Sequence, residues 1–245
     1  DDPDVIKGRA GSPYAVKDYY DIDPDLATDV PNRMAEYEAL IKRTHANGLK
    51  VIMDFVPNHV SRLYHSDAKP AGVDDFGAKD DTTKAFSPQN DFYYIPGQPF
   101  KVPAGYQPGG AEFTSPLKDG HFDEYPARAT GNDVFSATPS INDWFETVKL
   151  NYGVDYLDNH TTHFDPEPPV WRKMYDILHF WASKGIDAFR CDMVENVPIE
   201  FWHWVIGRLR GQFTELRFIG EAYNVNEYKN YIEKGNFDYL YDKVG

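Results

Sequence analysis

The spacing of hydrophobic positions changes along the chain, and the changes mark its elements. From Pro31 to Asn47, apolar residues recur at helical spacing: Met34, Tyr37, Leu40 and Ile41 form one stripe, Pro31 suits a first turn, and Gly48 supplies the stop. Lys50 to Val56 follows as a strand, apolar except at Asp54, as expected of a strand covered on both faces until it reaches a functional end. From Ser61 to about Asp165 no period holds, and residues 61–145 contain nine of the 18 prolines along with many Gly, Asp and Tyr. That is too long for an ordinary loop and predicts a separate irregular subdomain. Helical spacing returns at about Pro169–Lys184, with Met174, Ile177, Leu178 and Trp181 on one face before Gly185. A strand, Ile186–Asp192, comes next. Pro198 opens a helix carrying Phe201, Trp202, Val205, Ile206 and Leu209, and a strand ending at Glu221 follows. A shorter helix near Asn226–Lys234 and a strand at Phe237–Tyr241 complete the series.

Strands alternating with helices predict an α/β fold with a parallel sheet. Polar residues at successive strand C-termini favour a (β/α)8 barrel, whose active sites lie at that face, over a doubly wound open sheet. The predicted organisation is a partial barrel with an insertion: barrel residues 1–60, an inserted domain over 61–165, and barrel residues 166–245. Only about four strands are identifiable, which predicts a segment of a longer barrel, and the opening Asp1-Asp-Pro-Asp reads as the interior of a longer protein.

Composition narrows the function. Among 245 residues, 41% are hydrophobic and 16% aromatic, as in folded globular proteins. A formal charge of −14, with 39 acidic against 25 basic residues, argues against nucleic acid as a partner. The single cysteine, Cys191, excludes an intrachain disulfide and leaves the compartment undecided. No apolar run approaches the ~20 residues of a membrane span.

The chemistry concentrates in Gly185-Ile-Asp-Ala-Phe-Arg190-Cys-Asp192 and Phe218-Ile-Gly-Glu221. On a strand, Arg190 and Asp192 point the same way and Cys191 points away from them. A guanidinium beside Asp192 favours the ionised carboxylate that a nucleophile requires. Neighbouring strands lie about 4.8 Å apart, so Asp192 and Glu221 at adjacent strand ends fall near the ~5.5 Å separation of a retaining glycosidase.

Three segments resemble conserved regions of the α-amylase family, glycoside hydrolase family 13. They are Asp54-Phe-Val-Pro-Asn58-His59, Gly185-Ile-Asp-Ala-Phe-Arg190-Cys-Asp192 and Gly220-Glu221, in the family's order, with the insertion where that family carries its B domain. The stretch Gly11-Ser-Pro-Tyr14 to Pro24 is similar to the loop after the second barrel strand. The resemblance implies a retaining enzyme acting on α-1,4-linked glucans or malto-oligosaccharides. Asp192 would be the nucleophile and Glu221 the general acid/base. His59 would bond sugar hydroxyls, Asp54 would support the cluster, and Tyr14 would stack on a sugar ring. Asn58 matches a position that binds structural calcium in many members; no organic cofactor is implied. If the substrate is polymeric starch, an extracytoplasmic location is favoured.

The chain also departs from the family pattern. Where many α-amylases have His four residues after the nucleophile, preceded by Lys, this sequence has Asn196 and Glu195. The family's third carboxylate follows a His in a His-Asp pair, and no such dipeptide occurs. This segment by itself is therefore expected to have little or no activity. Transfer to a sugar hydroxyl, glucan isomerisation and a non-catalytic carbohydrate-binding barrel stay open as alternatives.

Other residues have competing readings. Asn58 could equally fix a turn, and Tyr14 could be a packed loop aromatic. His160 and His163 lack the ligand set of a zinc site and read as surface loop. Asn159-His-Thr161 is a formal glycosylation sequon. Trp171, Trp181, Trp202 and Trp204 read as core, while Trp144, Tyr93, Tyr94 and Tyr106 are candidate sugar platforms.

Overall fold

The structure is a computed structural model that describes residues 2–7, 11–106 and 117–242. Asp1, the start of the predicted interior segment, lies outside the described residues. In chain order the regular elements are α1 (Arg33–Ala46), β1 (Ile52–Phe55), β2 (His59–Ser61), β3 (Tyr94–Ile95), β4 (Ala127–Arg128), β5 (Thr147–Lys149), β6 (Val154–Asp155), β7 (Thr161–Thr162), α2 (Pro169–Ser183), β8 (Ala188–Cys191), α3 (Ile199–Arg210), β9 (Arg217–Glu221), α4 (Tyr228–Glu233) and β10 (Tyr239–Tyr241). The chain divides into two compact units: residues 1–17, 58–65 and 72–170 form one, and residues 18–57, 66–71 and 171–245 the other.

The second unit holds a four-stranded parallel sheet in the order β1-β8-β9-β10, the pattern expected of successive β-α units. On α2 the predicted stripe is buried, with Met174, Ile177, Leu178 and Trp181 at 4% exposure or less. On α3, Phe201, Trp202, Val205, Ile206 and Leu209 are fully buried. Burying five such side chains stabilises the unit by roughly 1.5–3 kcal/mol each. Two of the tryptophans also find partners for their indole N–H groups: Trp202 donates to the Val194 carbonyl at 3.1 Å and Trp181 to that of Tyr19 at 2.7 Å. Gly185 ends the α2 segment with φ +98°, a conformation that side chains with a Cβ rarely adopt. Gly220 sits where an added Cβ would come within 2.9 Å of Leu240 Cδ2, so β9 and β10 pack closely at that point.

Two expectations for this unit change. The α1 stripe buries only Ile41, because α1 is held to α2 along one side, through Tyr37 edge-on to Trp181 and a Lys184–Glu38 ion pair at 2.6 Å. The strand predicted as covered on both faces leaves Ile52 54% exposed, because β1 lies at the sheet edge.

The first unit carries little regular structure, and buried and half-buried carboxylates satisfy its backbone instead. Asp80 accepts from the Asp91 and Phe92 N–H groups, Glu146 from Lys7 and Ser12, and Asp4 from Asp119 and Gly120. A small core of Val5, Phe100, Phe122, Ala127, Ala137 and Phe145 sits within it. The short strand pairs β2 with β5, β3 with β4 and β6 with β7 are all antiparallel. Residues 1–17 belong to this unit because Glu146 holds Lys7 and Ser12, and because Ser61 and His65 donate to the carbonyls of Val16 and Lys17. Tyr93 and Tyr94 are 1% and 6% exposed, which removes them as sugar platforms. Their hydroxyls are used internally, by the Val154 carbonyl and by Asp80. Tyr106 packs edge-on against Phe145 and donates to the Ile6 carbonyl, so it too is a packing residue. Trp144 is half-buried, edge-on to His59. His160 and His163 are exposed. Among the described residues, no helix is long and apolar enough to cross a membrane.

Candidate active site

Strand register assembles the carboxylate cluster of the second unit. Asp54 on β1 stands opposite Arg190 on β8, and Cys191 stands opposite Gly220 on β9. One residue further along both strands, Asp192 and Glu221 come side by side, and Glu221 is in turn opposite Tyr241 on β10. Arg190 links the row. Its Nη1 lies 2.9 Å from Asp54 Oδ1 and 2.8 Å from Asp192 Oδ1, its Nη2 lies 2.8 Å from Glu221 Oε2, and its Nε donates to the Tyr241 hydroxyl at 2.6 Å. Cys191 is fully buried on the opposite face, where loss of hydration pushes its thiol pKa far up and leaves it inert.

The protonation pattern differs from the one expected from sequence. Burial, followed by the hydrogen bond and charge of Glu221, pushes Asp192 up to about 6 against the opposing pull of Arg190. Burial also acts upward on Glu221, but hydrogen bonds from the Tyr223 hydroxyl (2.6 Å), from Asp192 and from the Met193 N–H (3.2 Å), with the charge of Arg190, outweigh it and hold Glu221 down to about 2. Arg190 divides its two Nη groups between the carboxyls rather than serving Asp192 alone, and Glu221 collects more donors. The two carboxyl groups are hydrogen-bonded to each other, closer than the predicted ~5.5 Å. A hydrogen bond between two carboxyl groups needs one proton, which the pair shares; burial pushes Asp192 up while the donors around Glu221 hold it down.

Two contributors, Tyr223 and Tyr241, went unnoticed in the sequence, and a third, Glu195, was noted only as a departure from the family pattern. Tyr223 follows Glu221 by two residues, the spacing that keeps a strand's side chains on one face, and this was the signal available. Tyr241 ends the last predicted strand and reaches Arg190 through its register with Glu221. Glu195 accepts from the backbone N–H groups of Tyr223 and Asn224 at 3.0 and 2.8 Å and so holds the turn after Glu221.

His59, Asn58 and Tyr14 belong to the first unit. Asn58 is 1% exposed. Its Nδ2 donates to the Gly131 carbonyl at 2.7 Å and lies 3.1 Å from His59 Nδ1, while its Oδ1 accepts from Lys149 Nζ at 2.7 Å. His59 is buried and hydrogen-bonds the Tyr14 backbone; burial and the Lys149 charge lower its pKa to about 4, so its ring is neutral. Tyr14 is 42% exposed. These residues do not fit the calcium ion implied for Asn58, because an ammonium already holds the oxygen that would coordinate it. Elsewhere among the described residues, Asp18, Asp21 and Asp67 cluster, but Arg33 neutralises Asp21.

Comparison with known proteins gives this geometry its context. The family model for the α-amylase catalytic domain matches residues 7–229. The chain belongs to the α-amylase family. Among curated α-amylase relatives, it is 26% identical over 231 residues to the alpha-1,4-glucan:maltose-1-phosphate maltosyltransferase of Cereibacter sphaeroides, covering 84% of this chain and 32% of that protein. It is 26% identical over 230 residues to alpha-amylase 3 of Dictyoglomus thermophilum, covering 88% and 34%. The chain thus spans about a third of the length of these relatives. An alpha-amylase from Lactobacillus plantarum matches in structure with a TM-score of 0.53 at 23% identity, covering 94% of this chain and 37% of that one. This likeness concerns the fold: the parallel sheet is part of an α-amylase (β/α)8 barrel, and in the described residues it does not close.

Proposed function

We propose that this chain carries the catalytic carboxylates of a retaining enzyme that hydrolyses α-1,4-glucosidic bonds in glucans or malto-oligosaccharides. The observation that carries this reading is the placement of Asp192 and Glu221 at the ends of adjacent strands on one shared arginine. Asp192 attacks the anomeric carbon as the bond to the leaving oxygen breaks, and Glu221 gives that oxygen its proton. Water then attacks the glycosyl-Asp192 ester, Glu221 takes the water's proton, and the carboxylate of Asp192 is released. A sugar entering between the carboxyls separates them and returns Arg190 to Asp192, and the shared proton passes to Glu221, the arrangement that the first step needs.

The reading supports a specific pH profile. Catalysis requires the pair to hold one proton. That proton leaves as pH rises through about 6, so kcat/KM is expected to fall about tenfold per unit above that point. A rate that stays flat through pH 8 would count against the shared proton.

A second reading is transfer, in which a sugar hydroxyl replaces water; the similarity to a protein named as a maltosyltransferase favours keeping it. Chromatography of products from starch and malto-oligosaccharides, with the full-length protein and with Asp192→Ala as control, separates the two. Shorter glucans that disappear in the variant support hydrolysis. Longer or re-linked products support transfer, and no turnover by the folded full-length protein leaves a binding barrel.

A further inference from the structure

In the first unit, one buried cation organises side chains from three segments. Lys149 on β5 is 2% exposed and stands opposite His59 in the β2–β5 pair. Its Nζ lies 2.6 Å from Asp133 Oδ1, 2.7 Å from Asn58 Oδ1, and 5.0 Å from the centre of the Tyr156 ring. A carboxylate oxygen, an amide oxygen and an aromatic face together make a cage for a compact cation.

The orientation of Asn58 follows from this cage. An ammonium has donors only, so the amide must turn its oxygen to Lys149 and its nitrogen to the other side. There Nδ2 meets the Gly131 carbonyl and His59 Nδ1, and each of these must accept. A neutral imidazole that accepts at Nδ1 carries its proton at Nε2. The second hydrogen bond of the ring, to the Tyr14 backbone, then uses Nε2–H as donor. The charge of Lys149 thus sets both the amide orientation and the tautomer of a histidine it does not bond directly.

We propose that the Lys149 ammonium takes the place of a divalent cation at Asn58 and acts as a positioning residue that holds His59 in a single tautomer. A calcium ion at Asn58 Oδ1 would need an oxygen contact of about 2.3–2.6 Å, and the ammonium occupies that approach with a like charge. This goes beyond the catalytic reading and holds whether the acceptor is water or sugar.

Two measurements on the full-length protein test it. Crystals grown in excess calcium chloride are expected to show no anomalous peak in contact with Asn58 Oδ1. A peak there, with Lys149 turned away, would overturn the proposal. Nitrogen-15 NMR is expected to show His59 protonated at Nε2 alone, and Lys149→Met, of similar length and uncharged, is expected to lose that single tautomer. A purely structural lysine would lower Tm in the variant without changing the tautomer, and an unchanged tautomer would overturn the positioning role. If Lys149→Met fails to fold, the calcium crystals of the unsubstituted protein still decide the cation.

Discussion

Asp192→Asn in the full-length protein is expected to lower kcat by at least about 10⁴-fold while leaving the fold intact. The change keeps the side chain's volume and removes only its ability to form and release a glycosyl ester. The effect on activity is large because no neighbour can substitute. Glu221 is tied to Arg190, Tyr223 and the Met193 N–H, and Asp54, though on the same Arg190 Nη1 as Asp192, is held on β1, on the other side of β8 from Glu221. The effect on stability is small for a separate reason. Asp192 and Glu221 are two carboxyls pressed together, and Arg190 keeps Asp54, Glu221 and Tyr241 as partners when Asp192 is neutral. An asparagine amide can donate to Glu221 in place of the shared proton and still accept from Arg190, so the substitution keeps the hydrogen bonds of the pair. Steady-state kinetics alongside a melting curve checks both halves. A variant retaining a tenth of the activity would exclude Asp192 as the nucleophile.

Glu124→Ala is expected to destabilise the first unit by about 3–5 kcal/mol, the range for removing one partner of a buried ion pair. Glu124 answers two arginines. Its Oε1 lies 2.5 Å from Arg62 Nη1, and its Oε2 accepts from Arg128 Nε and Nη2 at 3.0 and 2.6 Å. The Arg62 side chain is fully buried, and burial lowers its pKa to about 10. It therefore stays charged at neutral pH, and losing Glu124 strands a guanidinium in the interior. The Phe145 and Thr147 carbonyls and the Phe100 ring remain to Arg62, but none of them carries a countercharge. Urea denaturation measures the loss. The double variant Arg62→Met/Glu124→Ala is expected to recover much of it, since it removes both charges together; equal loss in the single and double variants would show that charge burial is not the cause.

The helices and strands around the carboxylates were legible because their causes are local. The α2 and α3 stripes repeat at helical spacing, and both came out buried as the spacing implied. Arg190 and Asp192 share a face because strand side chains alternate, and they are found bonded. The α-amylase motifs carried the family for the same reason, being short runs whose order survives in sequence. In the first unit the same logic failed. Tyr93, Tyr94 and Tyr106 could not be told from sugar platforms, because without a period nothing marks which side of a residue is buried.

Local pattern determined the element order, the parallel sheet, the family and the row of charged residues at the strand ends. Only the tertiary structure decided how the charges are shared, because that depends on register and burial between segments distant in the chain. Register set Asp192 beside Glu221 and brought Tyr241 to Arg190. Burial and the unequal supply of donors then pushed Asp192 up and held Glu221 down. The same is true at Asn58. As a single letter it fits a turn or a calcium ligand equally well. An ammonium 91 positions further along the chain, delivered by the β2–β5 pairing, gives it another role.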